Sequence, residues 1–92
     1  MTRFLIEVPH PSDVSACNRA IDVFLRTGSH FLTRADWGCK DGEHKAWIIV
    51  DVDSKDDARN IVPSDYRADA KVTKLTVFVP SDLEGMKRTH KS

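Results

Sequence analysis

The stretch that most constrains the fold of this chain runs from His30 to Val52 and reads HFLTRADWGCKDGEHKAWIIVDV. It contains an alternating run, then a polar segment with two glycines, then the most apolar run of the sequence. Alternation of side chains has the period of a β-strand, and a short loop with Asp-Gly is typical of a hairpin. The stretch therefore predicts a β-hairpin with its turn at residues 38–42.

Side-chain chemistry predicts the register of this hairpin. The predicted cross-strand pairs are Gly38 with Glu43, Asp36 with Lys45, Arg34 with Trp47, Leu32 with Ile49, and His30 with Asp51. This register brings together opposite charges, a cation and an aromatic ring, and apolar pairs. A slip of one residue would turn every side chain of one strand to the wrong face. We therefore expect Arg34 to pack over Trp47 on the sheet face away from the helices.

The rest of the chain supplies two further strands and two amphipathic helices. The pattern predicts strands over 3–8 and 71–79, a helix from the N-cap Ser12 to Gly28, a helix from the N-cap Ser54 to Pro63, and a short helix after Pro80. Residues 1–80 would form one domain, and residues 81–92 would form the short C-terminal helix and a frayed tail.

This order of elements predicts an α+β protein with a ferredoxin-like βαββαβ topology. Right-handed crossovers then give a four-stranded antiparallel sheet in the order 4-1-3-2, with the two long helices on one face. The most apolar strands should be central, and the runs FLIEV and AWIIVDV meet that requirement.

Composition excludes several classes of protein. Lys plus Arg equal Asp plus Glu at 14 each, so the net charge recruits neither nucleic acid nor an anionic membrane. The first apolar run is too short for a secretion signal, and no run approaches the ~18 apolar residues of a membrane span. Two cysteines are too few for a disulfide framework, and we do not expect Cys17 to pair with Cys39. The default is a bacterial-style cytoplasmic protein with reduced thiols.

The predicted sheet leaves one face without a cover. Large apolar side chains expected on this face are Leu5, Leu32, Trp47, Ile49 and Phe78. A monomer rarely exposes such a patch to water, so we expect a homodimer that packs its two sheets face to face.

The second half of the chain resembles a known family. The segment IIVDVDSKDDARNIVPSDYRADAKVTKLTVF has a strand running into an acid, a Ser-capped helix, a proline break and a final strand ending in Phe. Over residues 46–78 this pattern is similar to the second half of the dimeric α+β barrel superfamily, which includes muconolactone isomerase-like proteins and small uncharacterised bacterial domains. The resemblance implies a homodimer with a pocket at the open face of each sheet. It transfers no catalytic residue, since no position matches a catalytic motif.

The open face is the expected binding site for a small organic ligand, anionic or aromatic. The ligand-binding candidates are Glu7, Arg34, Trp47, Asp51 and Phe78, and His30 with Asp51 would be the acid–base pair if chemistry occurs. The alternatives are a cofactor-independent enzyme of the isomerase or oxygenase kind, a transition-metal binder, and a purely structural dimer whose charges only pair with one another.

Metal and RNA binding are the less favoured functions at this stage. His10, Cys39 and His44 are weak metal-ligand candidates, since Cys39 and His44 at the hairpin tip lack a second close pair. We therefore expect no cofactor and no Ni, Zn or Cu. RNA-binding sheets of this topology need several stacked aromatic residues on their central strands, and here Trp47 is the only one, so no nucleic-acid partner is expected.

Overall fold

The structure, a computed structural model of the chain, describes residues 1–27 and 29–89, with side chains described up to residue 85. Within these ranges the strands are β1 (Thr2–Pro9), β2 (Asp36–Trp37), β3 (Lys45–Val52) and β4 (Lys71–Lys74). The helices are α1 (Val14–Arg26), α2 (His30–Thr33), α3 (Lys55–Ile61), α4 (Ser64–Arg67) and α5 (Pro80–Thr89), with a 3-10 turn at Cys39–Asp41. The predicted α+β class is confirmed.

The four described strands form one antiparallel sheet in the order β2-β3-β1-β4, which read from the β4 edge is 4-1-3-2. β1 and β3 are the central strands, and their pairing places Ile6 opposite Ile48 and Val8 opposite Ala46. Since side chains alternate along a strand, the even-numbered residues of both strands share one face. That face is the buried one.

The core lies between this face and the helices. α1 contributes Ala20 and Phe24, and α3 contributes Ala58. The buried apolar cluster comprises Phe4, Ile6, Val8, Phe24, Leu32, Ala46, Ile48, Val50, Ala58, Val62, Ala70 and Val72. Buried and less buried side chains therefore alternate along β1 and β3, because one face of the sheet packs in the core and the other lies outside it.

The predicted first strand of the hairpin is wrong over most of its length. Residues 30–33 form α2, whose first turn is fixed by hydrogen bonds from the Leu32 and Thr33 amides to the Ser29 carbonyl. Leu32 is 2% exposed and lies in the core, not on the open face. A helical turn can direct neighbouring apolar side chains inward, whereas a strand sends one of each adjacent pair outward.

The predicted register is also wrong, by two residues. Asp36 lies opposite Trp47, and Trp37 opposite Ala46. Because the register shifts by an even number of residues, the side chains of β3 stay on their predicted faces. Arg34 does not lie opposite Trp47, since it is the C-terminal cap of α2. The Trp37 ring packs against Phe24 at a centroid distance of 4.9 Å, so this register brings a large aromatic side chain against the core.

The last strand is shorter than predicted. β4 ends at Lys74, and one further hydrogen bond joins the Leu75 amide to the Arg3 carbonyl. Because β1 begins at Thr2, the register leaves the chain beyond this point without a strand to pair with. Val77 therefore does not face the helices, and Phe78 lies beyond the sheet, 58% exposed.

The helices begin at the predicted capping residues, except that the cap of α1 lies one residue later than predicted. Ser54 caps α3 as predicted, with its hydroxyl accepting from the Asp57 amide at 3.1 Å. The cap of α1 is Asp13, whose carboxylate accepts from the Ala16 amide, and not Ser12. The predicted C-terminal glycine of this helix, Gly28, lies outside the described residues. α5 begins at Pro80 as predicted and extends through Thr89, into the segment expected to fray.

Candidate metal centre

The end of β1 and the start of β3 bring two histidines together. β1 pairs with β3 up to Pro9 opposite Lys45, and the His10 amide then donates to the His44 carbonyl at 3.0 Å. The two imidazole rings meet edge to face, with their centroids 5.8 Å apart. Both residues lie at even-numbered positions, on the helix side of the sheet. Backbone pairing thus fixes the two rings beside each other.

A glycine-bounded turn adds a thiol to this pair. Cys39 opens the 3-10 turn between β2 and β3, where Gly38 donates to the Lys45 carbonyl and Gly42 donates to the Cys39 carbonyl. The Cys39 Sγ lies 3.1 Å from Nε2 of His10. The turn therefore folds back over the end of β1 and points its cysteine at the histidine pair.

His10, Cys39 and His44 form a compact set of metal-ligand side chains. One ligand atom from each lies within 4.8 Å of the other two. Two ligands of one tetrahedral zinc ion lie about 3.5 Å apart, given Zn–N and Zn–S bonds of about 2.0 and 2.3 Å. The cluster is thus close to the size that a single ion requires, and small side-chain rotations would complete it.

The histidines are left with unsatisfied nitrogens. His10 is only 9% exposed. Nδ1 of His10 and Nδ1 of His44 are both buried with no hydrogen-bond partner in the described part of the chain. Each neutral imidazole carries one N–H and one lone pair, and the side-chain hydrogen-bond contact that the described residues offer the two rings is that of His10 Nε2 with Cys39 Sγ. Buried polar atoms without a partner are rare because they cost free energy, and a bound cation would use the spare lone pair.

Burial favours the neutral forms of His10 and Cys39. It lowers the pKa of His10, and the nearby His44 imidazole lowers this pKa further. A neutral imidazole is the form that binds a metal. Burial also raises the pKa of the Cys39 thiol to about 11, with a smaller contribution from the neighbouring Cys17 thiol. Without a metal Cys39 is therefore a protonated thiol, and a metal would have to displace its proton.

The remaining sequence-predicted site residues do not meet in one place. Glu7 and Trp47 are neighbours on the open face, where the Trp47 indole donates to the Glu7 carboxylate at 3.4 Å. Asp51 instead pairs with Arg3, also at 3.4 Å, near the other end of the strands. Arg34 ends α2, and Phe78 lies beyond β4. The structure therefore brings together only two of the five ligand-binding candidates.

The predicted acid–base pair of His30 with Asp51 is not formed. His30 begins α2 and stacks on Phe31, with ring centroids 4.1 Å apart. Asp51 lies on β3, where it pairs across the sheet with Arg3. The sequence predicts this pair only if residues 30–33 form a strand, and they form α2 instead.

Two open clefts lie on the described part of the surface. One, of about 320 Å³, lies between the start of α1 and α4 and is lined by Pro11, Ala16, Arg19, Asp65 and Tyr66. The other, of about 240 Å³, lies at one end of the open face and is lined by Glu7, Pro9, Lys45, Asp69 and Lys71. Neither cleft includes a member of the histidine–cysteine cluster.

The sequence names His10, Cys39 and His44 as ligand candidates, but the hairpin pattern alone does not bring them together, because His10 lies outside the hairpin. The predicted sheet already placed the first strand beside the third. Extending the two strands toward their shared end would have set His10 opposite His44, with the turn that carries Cys39 close by. The signal was the position of each histidine at the end of its strand.

Comparison of the chain with protein-family models, with curated proteins and with solved structures found no match. In the described part of the chain, no helix combines the length and the apolar character needed to cross a membrane. The function is therefore inferred from the geometry of the chain itself.

Proposed function

We propose that this domain binds one transition-metal ion through His10, Cys39 and His44, with Zn²⁺ as the preferred ion. The observation that carries the proposal is the convergence of the three ligand atoms within 4.8 Å of one another, from three separate segments of the chain. Imidazole and thiolate together favour zinc, copper and nickel over the hard cations magnesium and calcium. This proposal replaces the sequence-based expectation that no metal is bound.

The burial of the cluster supports a role as a ligand set. Cores tolerate histidines when their nitrogens are hydrogen-bonded, and here Nδ1 of both rings lacks a partner among the described residues. No carboxylate competes as a hard ligand within the cluster. The Trp37 ring, 5.8 Å from that of His10, provides an apolar wall on one side. A low dielectric strengthens the attraction between a cation and its ligands.

Metal binding would also stabilise the fold. The site joins the end of β1, the 3-10 turn and the start of β3, so an ion there would hold three segments together. A ligand that binds only the folded state adds about 2.7 kcal/mol at a free concentration 100 times its dissociation constant. The same argument predicts that removing the ion lowers the melting temperature.

The test is isothermal titration of the reduced, metal-free protein with Zn²⁺, followed by elemental analysis. We expect one ion per chain and loss of binding in His44→Ala and in Cys39→Ser. The matched control is His30→Ala, because His30 is an exposed histidine on α2 outside the cluster. Far-UV circular dichroism would verify that each variant is folded. Absence of binding to the unmutated protein, or unchanged binding in both ligand variants, would overturn the proposal.

A second candidate function is supported by the cleft of about 240 Å³ on the open face. We propose that this cleft takes a small organic acid. Lys45 and Lys71 line it, and Glu7 lies 3.9 Å from the Lys45 amine. Two carboxylates, Glu7 and Asp69, balance the two cations that line the cleft, but no ion pair of Lys71 is found among the described residues, so the Lys71 amine is the group that would bind an added carboxylate. A panel of small carboxylic acids should raise the melting temperature of the unmutated protein but not of Lys71→Gln. Lys74→Gln, which changes the charge at an even-numbered position of β4, is the control, and equal shifts in all three proteins would refute the site.

The proposed assembly is a homodimer of ferredoxin-like domains, in line with the superfamily that residues 46–78 resemble. Ile49 is 62% exposed on the open face, and Leu5 and Trp47 beside it are half-buried, so a second sheet packed there would remove apolar surface from water. A reducing compartment such as the cytoplasm would keep Cys39 available as a ligand.

A further inference from the structure

We propose that Cys17 supplies the fourth ligand to the metal ion, so that the site is a closed tetrahedral centre of two histidines and two cysteines. The inference rests on the proposed metal binding by His10, Cys39 and His44, and it names the residue that fills the position those three leave open. It also decides between two kinds of metal site, since catalytic zinc keeps one position for water and structural zinc does not.

The buried face of α1 points toward the cluster. Cys17, Ala20 and Phe24 follow one another at spacings of three and four residues, so they lie on one side of the helix. Ala20 and Phe24 are fully buried on that side. The Phe24 ring contacts Trp37, and Trp37 in turn contacts His10 at 5.8 Å. Cys17 lies on this face one turn before Ala20, and it is half-buried.

Chain connectivity keeps Cys17 close to the cluster. Three residues separate His10 from the start of α1 at Val14, and Cys17 lies in the first turn of that helix. The Cys17 sulfur is not among the three ligand atoms that lie within 4.8 Å of one another. A change of χ1 from one staggered rotamer to another moves Sγ by roughly 3 Å. Coordination would therefore need the Cys17 side chain to turn toward the three ligand atoms.

Charge balance favours a second thiolate. A Zn²⁺ ion with two imidazoles and one thiolate has a net charge of +1, whereas a second thiolate makes the centre neutral. Burying an uncompensated charge is costly, and the surroundings of the cluster include the aromatic rings of Trp37 and Phe24. The neutral set is thus the one that this environment stabilises. It would also tie α1 to the strands that carry the other ligands.

The experiment uses Co²⁺ as a spectroscopic substitute for Zn²⁺ in the full-length, reduced protein. Coordination by thiolate gives a near-ultraviolet charge-transfer band whose intensity follows the number of sulfur ligands. We expect Cys17→Ser to keep one Co²⁺ per chain, to lose about half of this band, and to bind more weakly by roughly tenfold to a hundredfold. The control is Asn18→Ser, which changes an exposed neighbour of Cys17 on the same helix.

X-ray absorption at the zinc edge of the unmutated protein gives a second measurement that needs no variant. The expected result is two sulfur and two nitrogen ligands. One sulfur ligand, together with a Cys17→Ser band equal to that of the unmutated protein, would overturn the fourth ligand and leave the three-ligand site standing. Failure of the unmutated protein to bind either ion would overturn both proposals. If Cys17→Ser fails to fold, the sulfur count decides.

Discussion

Two glycines determine where the Cys39 thiol lies. Gly42 has φ +81°, in the left-handed region that residues with a side chain rarely adopt, and it closes the 3-10 turn. Gly38 opens the turn in a crowded position, where a Cβ atom would lie 2.6 Å from the Trp47 ring and 2.7 Å from the Glu43 carbonyl oxygen. The close approach of the backbone to this ring is what allows the turn to fold back toward His10.

The first prediction concerns Gly38→Ala. The added methyl group collides with the Trp47 ring and with backbone, so the free energy of unfolding should fall by ~1–3 kcal/mol. Urea denaturation of the metal-free protein measures this change. Gly85→Ala is the control, because a Cβ at that position in α5 meets nothing within 4 Å. Equal stability of the two variants would contradict the placement of the turn.

The metal cluster was predictable in part. The residue types of His10, Cys39 and His44 were identified as possible ligands from the sequence, but their convergence depends on pairing between β1 and β3 across more than thirty residues. Local patterns cannot supply such a distance until a register is assigned to both strands. The proposed fourth ligand, Cys17, depends on which side of α1 faces the core. The spacing of Cys17, Ala20 and Phe24 does predict that side from the sequence.

At the scale of elements, burial decided more than alternation did. The segment around Leu32 alternates well enough to predict a strand, yet it forms α2, because a tertiary contact outweighs local preference. The strands with long apolar runs, β1 and β3, were predicted correctly, since each has enough buried residues to specify its face. β2, with two residues, carries too little pattern to be located from sequence.

The second prediction distinguishes the observed α2 from the predicted strand. Leu32 and Ile49 were expected to face each other on the open face, but Leu32 is 2% exposed and Ile49 is 62% exposed. Leu32→Ala should therefore lower the free energy of unfolding by ~2–5 kcal/mol. Ile49→Ala is its matched control, and it should change stability by less than about 0.5 kcal/mol in the monomer. Denaturation at low protein concentration measures both, and similar losses would favour the strand.

The third prediction concerns the helix caps. The Ser54 hydroxyl accepts from the Asp57 amide, so Ser54→Ala should cost about 1 kcal/mol of folding stability. Ser12 was the predicted cap of α1, but Asp13 performs that role, so Ser12→Ala should have no measurable effect. Thermal unfolding followed by circular dichroism compares the two variants. A loss in Ser12→Ala as large as that in Ser54→Ala would show that the assigned start of α1 is wrong.

At the scale of the whole molecule, the chain is less compact than its length predicts. The radius of gyration is 16.2 Å, whereas a compact chain of this length would have about 12 Å. In the segment after β4, the apolar residues that are more than half exposed are Val77, Phe78, Val79 and Leu83. Together with Ile49 on the open face, these side chains leave a substantial apolar surface in contact with water. Such surface is typical of proteins that associate.

The last prediction is that the chain forms a homodimer through the open face. Light scattering at micromolar concentration should give about twice the monomer mass of 10.4 kDa. The dimer should persist at high salt, because screening weakens ionic contacts but not apolar ones. Ile49→Asp places a charge at the centre of the face and should give the monomer mass. Val14→Asp is the control, since Val14 is even more exposed than Ile49, at 76% against 62%, but lies at the start of α1, where an acid suits the helix dipole. A monomer mass for the unmutated protein, or dissociation by Val14→Asp but not by Ile49→Asp, would rule out this interface.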